Sequence, residues 1–193
     1  MTITPDEIIE FWQNEVGPKG WYMVDAALDQ KIRDRYLDFW LDVRAGEYDN
    51  WPGKSKGALA MLIAIDQLPR NMFRGSGDSF ATDSKARCIA KRAIFAGQDL
   101  DIDEPMRQFF YLPLMHSEVL ADQDTCMRMF KQNMSGDGRF LHPRAHREVI
   151  RKFGRFPYRN KAMGRMSIQA EMDYVAAGGC GLAVKEIQAR AWQ

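Results

Sequence analysis

The chain has 193 residues, 46% of them apolar and 27% charged, with a net charge of +1 at pH 7. That length and apolar content suffice for one domain, residues 1–193, with a sizeable core, and the near-neutral charge gives no general attraction to nucleic acid or an anionic membrane. Three widely spaced cysteines (Cys88, Cys126, Cys180) exclude a disulfide framework and a paired-cysteine metal site, and no apolar run approaches the roughly 18 residues of a membrane span.

Thr4-Pro5-Asp6-Glu7 predicts a helix start, with Thr4 as N-cap, Pro5 at the first helical position and Glu7 closing a capping box. Ile8, Ile9, Phe11, Trp12 and Val16 form its apolar face, and Gly17-Pro18 stops it. Asp25 caps a second helix whose stripe is Leu28, Ile32, Tyr36, Phe39, Trp40 and Val43, closed by Gly46. The third helix begins near Ser55 and is apolar all round through Ile65, which predicts a central place in the core.

After the turn Gly75-Ser76-Gly77-Asp78, Thr82 or Asp83 caps a helix that ends at Ala96-Gly97. Pro105 opens another, running through Phe109 to Leu112, and Asp122 or Asp124 caps the next, to about Met134. His142-Pro143 starts a helix to Gly154, residues 155–166 read as an irregular loop or a short turn of helix, and Ser167 caps a helix to about Ala177. Gly178-Gly179 precedes a last amphipathic stretch, Leu182 to Trp192. No period-two pattern signals a strand, so the expected fold is all-α: eight or nine helices in antiparallel hairpins.

Charge is placed where a core helix should have none. Asp66 follows eight apolar residues, and an unpaired carboxylate there is costly, so it requires a partner. Arg70 lies one turn on, and Arg74 one turn further. Pro69 has no N–H to give to the carbonyl of Ile65, for which Asn71 or a distant arginine is the expected donor. Some 80 residues later Arg155, Arg159 and Asn160 repeat the theme beside Phe153, Phe156 and Pro157. Arg155 and Arg159 are expected to meet Asp66, forming one polar centre that either locks helical layers or binds a carboxylate or phosphate. Residues 139–165 hold nine bases against one acid, while residues 1–50 hold eleven acids against five bases. The expectation is that the C-terminal arginines pair with the acidic N-terminal helices.

His116 lies in an apolar stretch two residues before Glu118, and His146 shares a helical face with Val149, Ile150 and Phe153. Each reads first as a core histidine; should they converge beside Glu118, they form an acid–base pair. His142 and His146 have metal-ligand spacing but no third ligand near in sequence, so no metal is expected. Phosphate loops, nucleophile elbows and Cys-x-x-Cys pairs are missing, and no cofactor is expected.

Four segments carry a resemblance: Asp66-Gln67-Leu68-Pro69-Arg70-Asn71-Met72-Phe73-Arg74-Gly75; Phe80-Ala81-Thr82-Asp83; Tyr111-Leu112-Pro113 with His116-Ser117-Glu118; and His146-Arg147 through Phe153-Gly154-Arg155-Phe156-Pro157-Tyr158-Arg159-Asn160. In these the chain resembles the bacterial domain of unknown function 924 family over nearly its whole length. The resemblance implies a tetratricopeptide-like, right-handed helical array and brings no activity with it. Tyr158 stands where family members often have histidine, which argues against catalysis by a ring nitrogen there.

Two functional readings follow. The first is a cytoplasmic binding module for a partner segment or small anionic ligand, with Asp66, Arg70, Asn71, Arg74, Arg155, Arg159 and Asn160 as binding residues. The second is an enzyme with His116 and Glu118, or His146, as acid and base, and Arg70, Arg155 and Arg159 clamping an anionic substrate. Nucleic-acid binding through residues 139–165 is the weakest alternative, and the sequence does not fix the oligomeric state.

Overall fold

The computed structural model describes residues 3–190, and among them the chain is all-α, with no strand. The principal helices are α1 (Pro5–Glu10), α2 (Ala26–Ala45), α3 (Ser55–Leu62), α4 (Leu68–Met72), α5 (Asp83–Phe95), α6 (Leu120–Asn133), α7 (Leu141–Phe153), α8 (Gln169–Ala176) and α9 (Cys180–Arg190). Trp192, expected to end the last helix, lies outside the described residues. The backbone gathers into two compact units, up to Pro113 and from Leu114 onward.

In the first unit the N-terminal signals work as their chemistry dictates. Thr4 accepts the Glu7 amide while the Glu7 carboxylate takes the Thr4 amide at 2.7 Å, so two of the orphan donors that every helix start presents are satisfied. Asp25 accepts the amides of Ala27 and Leu28, and Gly46 ends α2 at φ 103°, a backbone state that suits glycine. α3 is buried from Gly57 to Leu62, packed by α1 on one side and α5 on another, as its lack of a polar face requires. An edge-on ring contact ties α2 to the end of α1, with Phe11 and Tyr36 at 4.9 Å between centroids. At Gly57 an added Cβ would lie 2.0 Å from the Trp51 carbonyl oxygen, so only glycine lets the 47–53 loop press onto α3.

α3 does not run straight into α4. Pro69 offers no N–H to Ile65, and the helix widens into a π-helical stretch, Ile63–Gln67, in which the Leu68 amide reaches the Ile63 carbonyl. Asn71, one of the expected donors to Ile65, turns to Asp29. The Thr82 hydroxyl donates to the Ile65 carbonyl at 2.5 Å, inside the core. Thr82 therefore stands at the N-cap position of α5 without capping it.

The second unit is built on α7, which packs against both α6 and α9. Its core joins Ala145, Val149 and Ile150 of α7 to Phe156, to Tyr174 of α8, and to Ala183 and Ile187 of α9. Two helix starts differ from the sequence expectation. α6 begins at Leu120, before Asp122, because the Asp122 carboxylate is taken by the Ser117 hydroxyl at 2.7 Å. α8 is entered through Ile168, whose amide binds Glu171, while Ser167 accepts the Asn160 side-chain amide.

Candidate functional site

Each unit contributes some of the polar residues singled out in sequence. In the first unit the π-helical stretch carries Asp66 into the interior, where it is 1% exposed. The Gln67 amide donates to one of its oxygens at 2.5 Å, and Arg70 approaches the other at 3.4 Å. Arg70 makes a closer bond to Asp83, at 2.7 Å, and a third to the Ser79 carbonyl, with its plane against the Phe80 ring. Asp83, expected only as a cap, is thus the nearer counter-charge. Asn71 and Arg74 both turn to Asp29 on α2: Arg74 forks it with bonds of 2.7 and 2.8 Å, and Asn71 donates at 2.8 Å. Partial burial disfavours the charge on Asp29, but the bonds from Arg74 and Asn71 outweigh that and hold its pKa below the usual carboxylate range.

In the second unit Arg155 forks Glu171 at 2.6 and 2.8 Å and also binds the Met166 carbonyl. Glu171 further accepts the Ile168 amide and the Asn160 side chain. The Arg155 pair, the Ile168 amide and Asn160 together draw its pKa down to about 2. Glu118 is gripped in the same manner: Arg165 forks it at 2.7 and 2.9 Å, and the Phe156 amide adds 2.8 Å. Burial works against its charge, yet these donors hold its pKa low. Arg159 is buried, with its guanidinium 4.5 Å from the centre of the Phe156 ring. The acids that hold Arg147, Arg151, Arg155 and Arg165 are Asp124, Glu148, Glu171 and Glu118. These come from the same unit, and the expectation that the acidic N-terminal helices would hold these four is corrected: acids 3 to 47 residues away supply the charge.

His116 and His146 do converge, with ring centres 6.3 Å apart. His146 Nδ1 donates to the His142 carbonyl one turn earlier, at 2.9 Å, which leaves Nε2 as the acceptor nitrogen. Its ring is edge-on to Phe156 and 3.7 Å from the Cys180 sulfur. Although some of His146 is open to solvent, the atoms packed round the ring, with His116 beside it, press its pKa down to about 3. The imidazole is neutral at physiological pH. Glu118 acts on Arg165 and the Phe156 backbone instead of serving these rings. Among the described residues no three His, Cys, Asp or Glu side chains are placed to share a metal ion.

Two features of interest lay outside the sequence reading. Ile168, Met172 and Val175 follow at helical spacing, and all three are exposed, together with Met163 and Met166. The i, i+4, i+7 pattern was available as a signal, but by periodicity a buried stripe and an exposed one look alike. The other is a cleft of about 580 Å³ between α5 and the 47–53 loop.

Residues 8–179 match the family described as "Bacterial protein of unknown function (DUF924)". The chain belongs to this family. A solved structure is similar along nearly its whole length, that of a protein of unknown function, ATU0120, from Agrobacterium tumefaciens. It is 36% identical, with a TM-score of 0.84 over 90% of this chain and 97% of that one. No curated protein matches the chain. The family thus supports the fold and carries no activity with it, and no helix among the described residues is long and apolar enough to cross a membrane.

Proposed function

We propose that this family member is a binding module that receives an acidic, amphipathic segment of a partner protein on the face of α8, and that its arginine–carboxylate centres are architecture. The observation that carries the reading is the exposed stripe Ile168, Met172 and Val175, with Met166 next to it 89% exposed. A contiguous apolar face of this kind is not left in water without use, and methionine suits it because its flexible thioether adapts to a partner's shape. The border of the face gives the partner its charge. Lys152 sits 5.8 Å above the Tyr174 ring of α8, and Lys161 is exposed in the segment that precedes the helix. An amphipathic helix with acidic flanks fits an apolar stripe bordered by cations.

The test is fluorescence anisotropy with a synthetic helical peptide bearing Leu at i, i+3, i+4 and i+7 and Glu elsewhere, beside a twin with Lys for Glu. The acidic peptide should bind and the basic twin should not, and Met172→Glu should weaken binding at least tenfold. Equal binding of both peptides, or binding indifferent to Met172→Glu, refutes the proposal. Concentration-dependent dimerisation through the same face, seen by sedimentation, would replace the partner with a second copy.

A second reading, an enzyme acting on a small anionic substrate, is favoured by the convergence of His116 with a neutral His146. Two of its other parts are engaged elsewhere. Arg155 is occupied by Glu171, and Glu118 is clamped by Arg165 and the Phe156 amide, which leaves it neither a ready acid nor a free base.

A further inference from the structure

The cleft beside α5 takes none of its lining from the arginine–carboxylate centres. One wall is a single face of that helix: Lys85, Cys88, Ile89, Arg92, Ala93 and Ala96, at i, i+3, i+4, i+7, i+8 and i+11. The other is the loop Asp49-Asn50 with Pro52 and Gly53, closed at one end by Gln98. At about 580 Å³ it is in the range of small-molecule sites. Its walls are held in place without a ligand. Lys85 bridges the loop to α2, bonding Asp49 at 2.6 Å and the Val43 carbonyl at 2.8 Å, and Gln98 holds the Pro52 carbonyl. The contact at Gly57 fixes the base of the same loop against α3. Such preorganisation lowers the ordering cost of binding.

The charges that face the cleft are Asp49, Lys85 and Arg92. Asp49 and Lys85 neutralise one another. Arg92 is exposed, and among the described residues no acid pairs with it. One guanidinium therefore shares the cleft with the apolar side chains of Ile89, Ala93 and Pro52. We infer that this cleft binds a small monocarboxylate with an apolar body, the carboxylate forked by Arg92 and the body laid along Ile89, Ala93 and Pro52. A guanidinium's paired donors match the two oxygens of a carboxylate. A single net positive charge suits a monoanion better than a phosphate dianion, which would be left half-compensated.

Cys88 opens into the cleft and is exposed, so it serves as a reporter at the site. The experiment follows the rate at which iodoacetamide alkylates Cys88 in the full chain, read by mass spectrometry of its peptide, with octanoate as the probe. A ligand of this size holds at about millimolar Kd. At saturation octanoate should slow Cys88 alkylation at least fivefold, as a rough threshold for occupancy of a site with that Kd. 1-Octanol, which has the body without the charge, should not protect at the same concentration. Arg92→Gln, on an exposed helical position, should abolish protection, while Arg144→Gln in the other unit leaves it intact. Ala96→Trp should fill the cleft and shield Cys88 without any ligand. Absence of octanoate protection overturns the inference, as does protection undiminished in Arg92→Gln. Equal protection by octanol overturns the carboxylate class. None of these outcomes bears on peptide binding at α8, so the two proposals stand or fall separately.

Discussion

Replacing Thr82 with valine removes one hydroxyl and keeps the side chain's shape. Thr82 is 3% exposed and Ile65 fully buried, so water cannot take the place of the 2.5 Å bond to the Ile65 carbonyl. Pro69 cannot either, having no N–H. A net hydrogen bond contributes about 1 kcal/mol, and a buried acceptor left unsatisfied costs about 1–3 kcal/mol. The expected loss is therefore about 2 kcal/mol, which for a chain of this size lowers Tm by about 4–8 °C. Urea unfolding followed by tryptophan fluorescence is the assay, because Trp12, Trp21, Trp40 and Trp51 all lie in the unit that holds Thr82. Thr82→Ser keeps the donor and should lose less than Thr82→Val. In a Pro69→Ala background, where residue 69 regains its N–H, the valine substitution should cost about 1 kcal/mol less, a coupling typical of groups that share a partner. A valine variant within about 0.5 kcal/mol of the parent, or a serine variant less stable than the valine one, would refute the assignment.

Other expectations follow from the packing and the charges. Gly57→Ala must move the Trp51 backbone off α3 and should destabilise the first unit by about 1–3 kcal/mol, measured by the same fluorescence titration. Glu171 titrates at about 2 in the fold against an ordinary 4.5. The stability it confers is thus present above pH 4.5 and lost as pH falls towards 2. Glu171→Gln should lower stability at pH 7 and flatten the pH dependence in that window; an unchanged slope in urea midpoints would show that the carboxylate is not the group titrating. His146 is depressed to about 3 from 6.5, so the unfolded chain takes up its proton first as pH falls, and stability fades from pH 6.5 down to about 3. In His146→Gln that fading should lessen. Nitrogen-15 NMR at pH 5 should find the wild-type ring neutral and protonated on Nδ1, and a charged ring would contradict its packing.

The fold was legible in the sequence because its signals are local. Thr4 with Glu7, Asp25 and Gly46 specify helix ends within four residues of themselves, and the helical periods needed no long-range knowledge. The site was legible only in its residue types. That Asp66 needed partners followed from burial alone, and Gln67 and Arg70 donate to it from close by, but Asp83 reaches Arg70 from 13 residues away and Thr82 reaches the Ile65 carbonyl from 17, across a turn whose path no spacing rule gives. Asp122 and Ser167 misled for a related reason. Both are good capping residues, and both are engaged by a tertiary partner, Ser117 and Asn160 respectively. Glu171 could have been flagged, being an acid between Ala170 and Met172 in a largely apolar stretch. The cleft face of α5 could have been flagged too, since it mixes cations with small apolar residues at helical spacing.

The π-helical stretch at residues 63–67 also sets how the gene can change length. A π turn accommodates one more residue than an α turn in the same rise, so deleting a single residue there would leave an unbroken α-helix. The extra residue is absorbed within the wide turn, so everything beyond would keep nearly its present facing, but the Pro69 ring would then meet the carbonyl one α-turn before it. Arg70 would stay beside Asp83, and Asn71 and Arg74 beside Asp29. The wide turn and Pro69 are therefore tied to one another, and the stretch can give up its extra residue more readily where the proline is replaced as well.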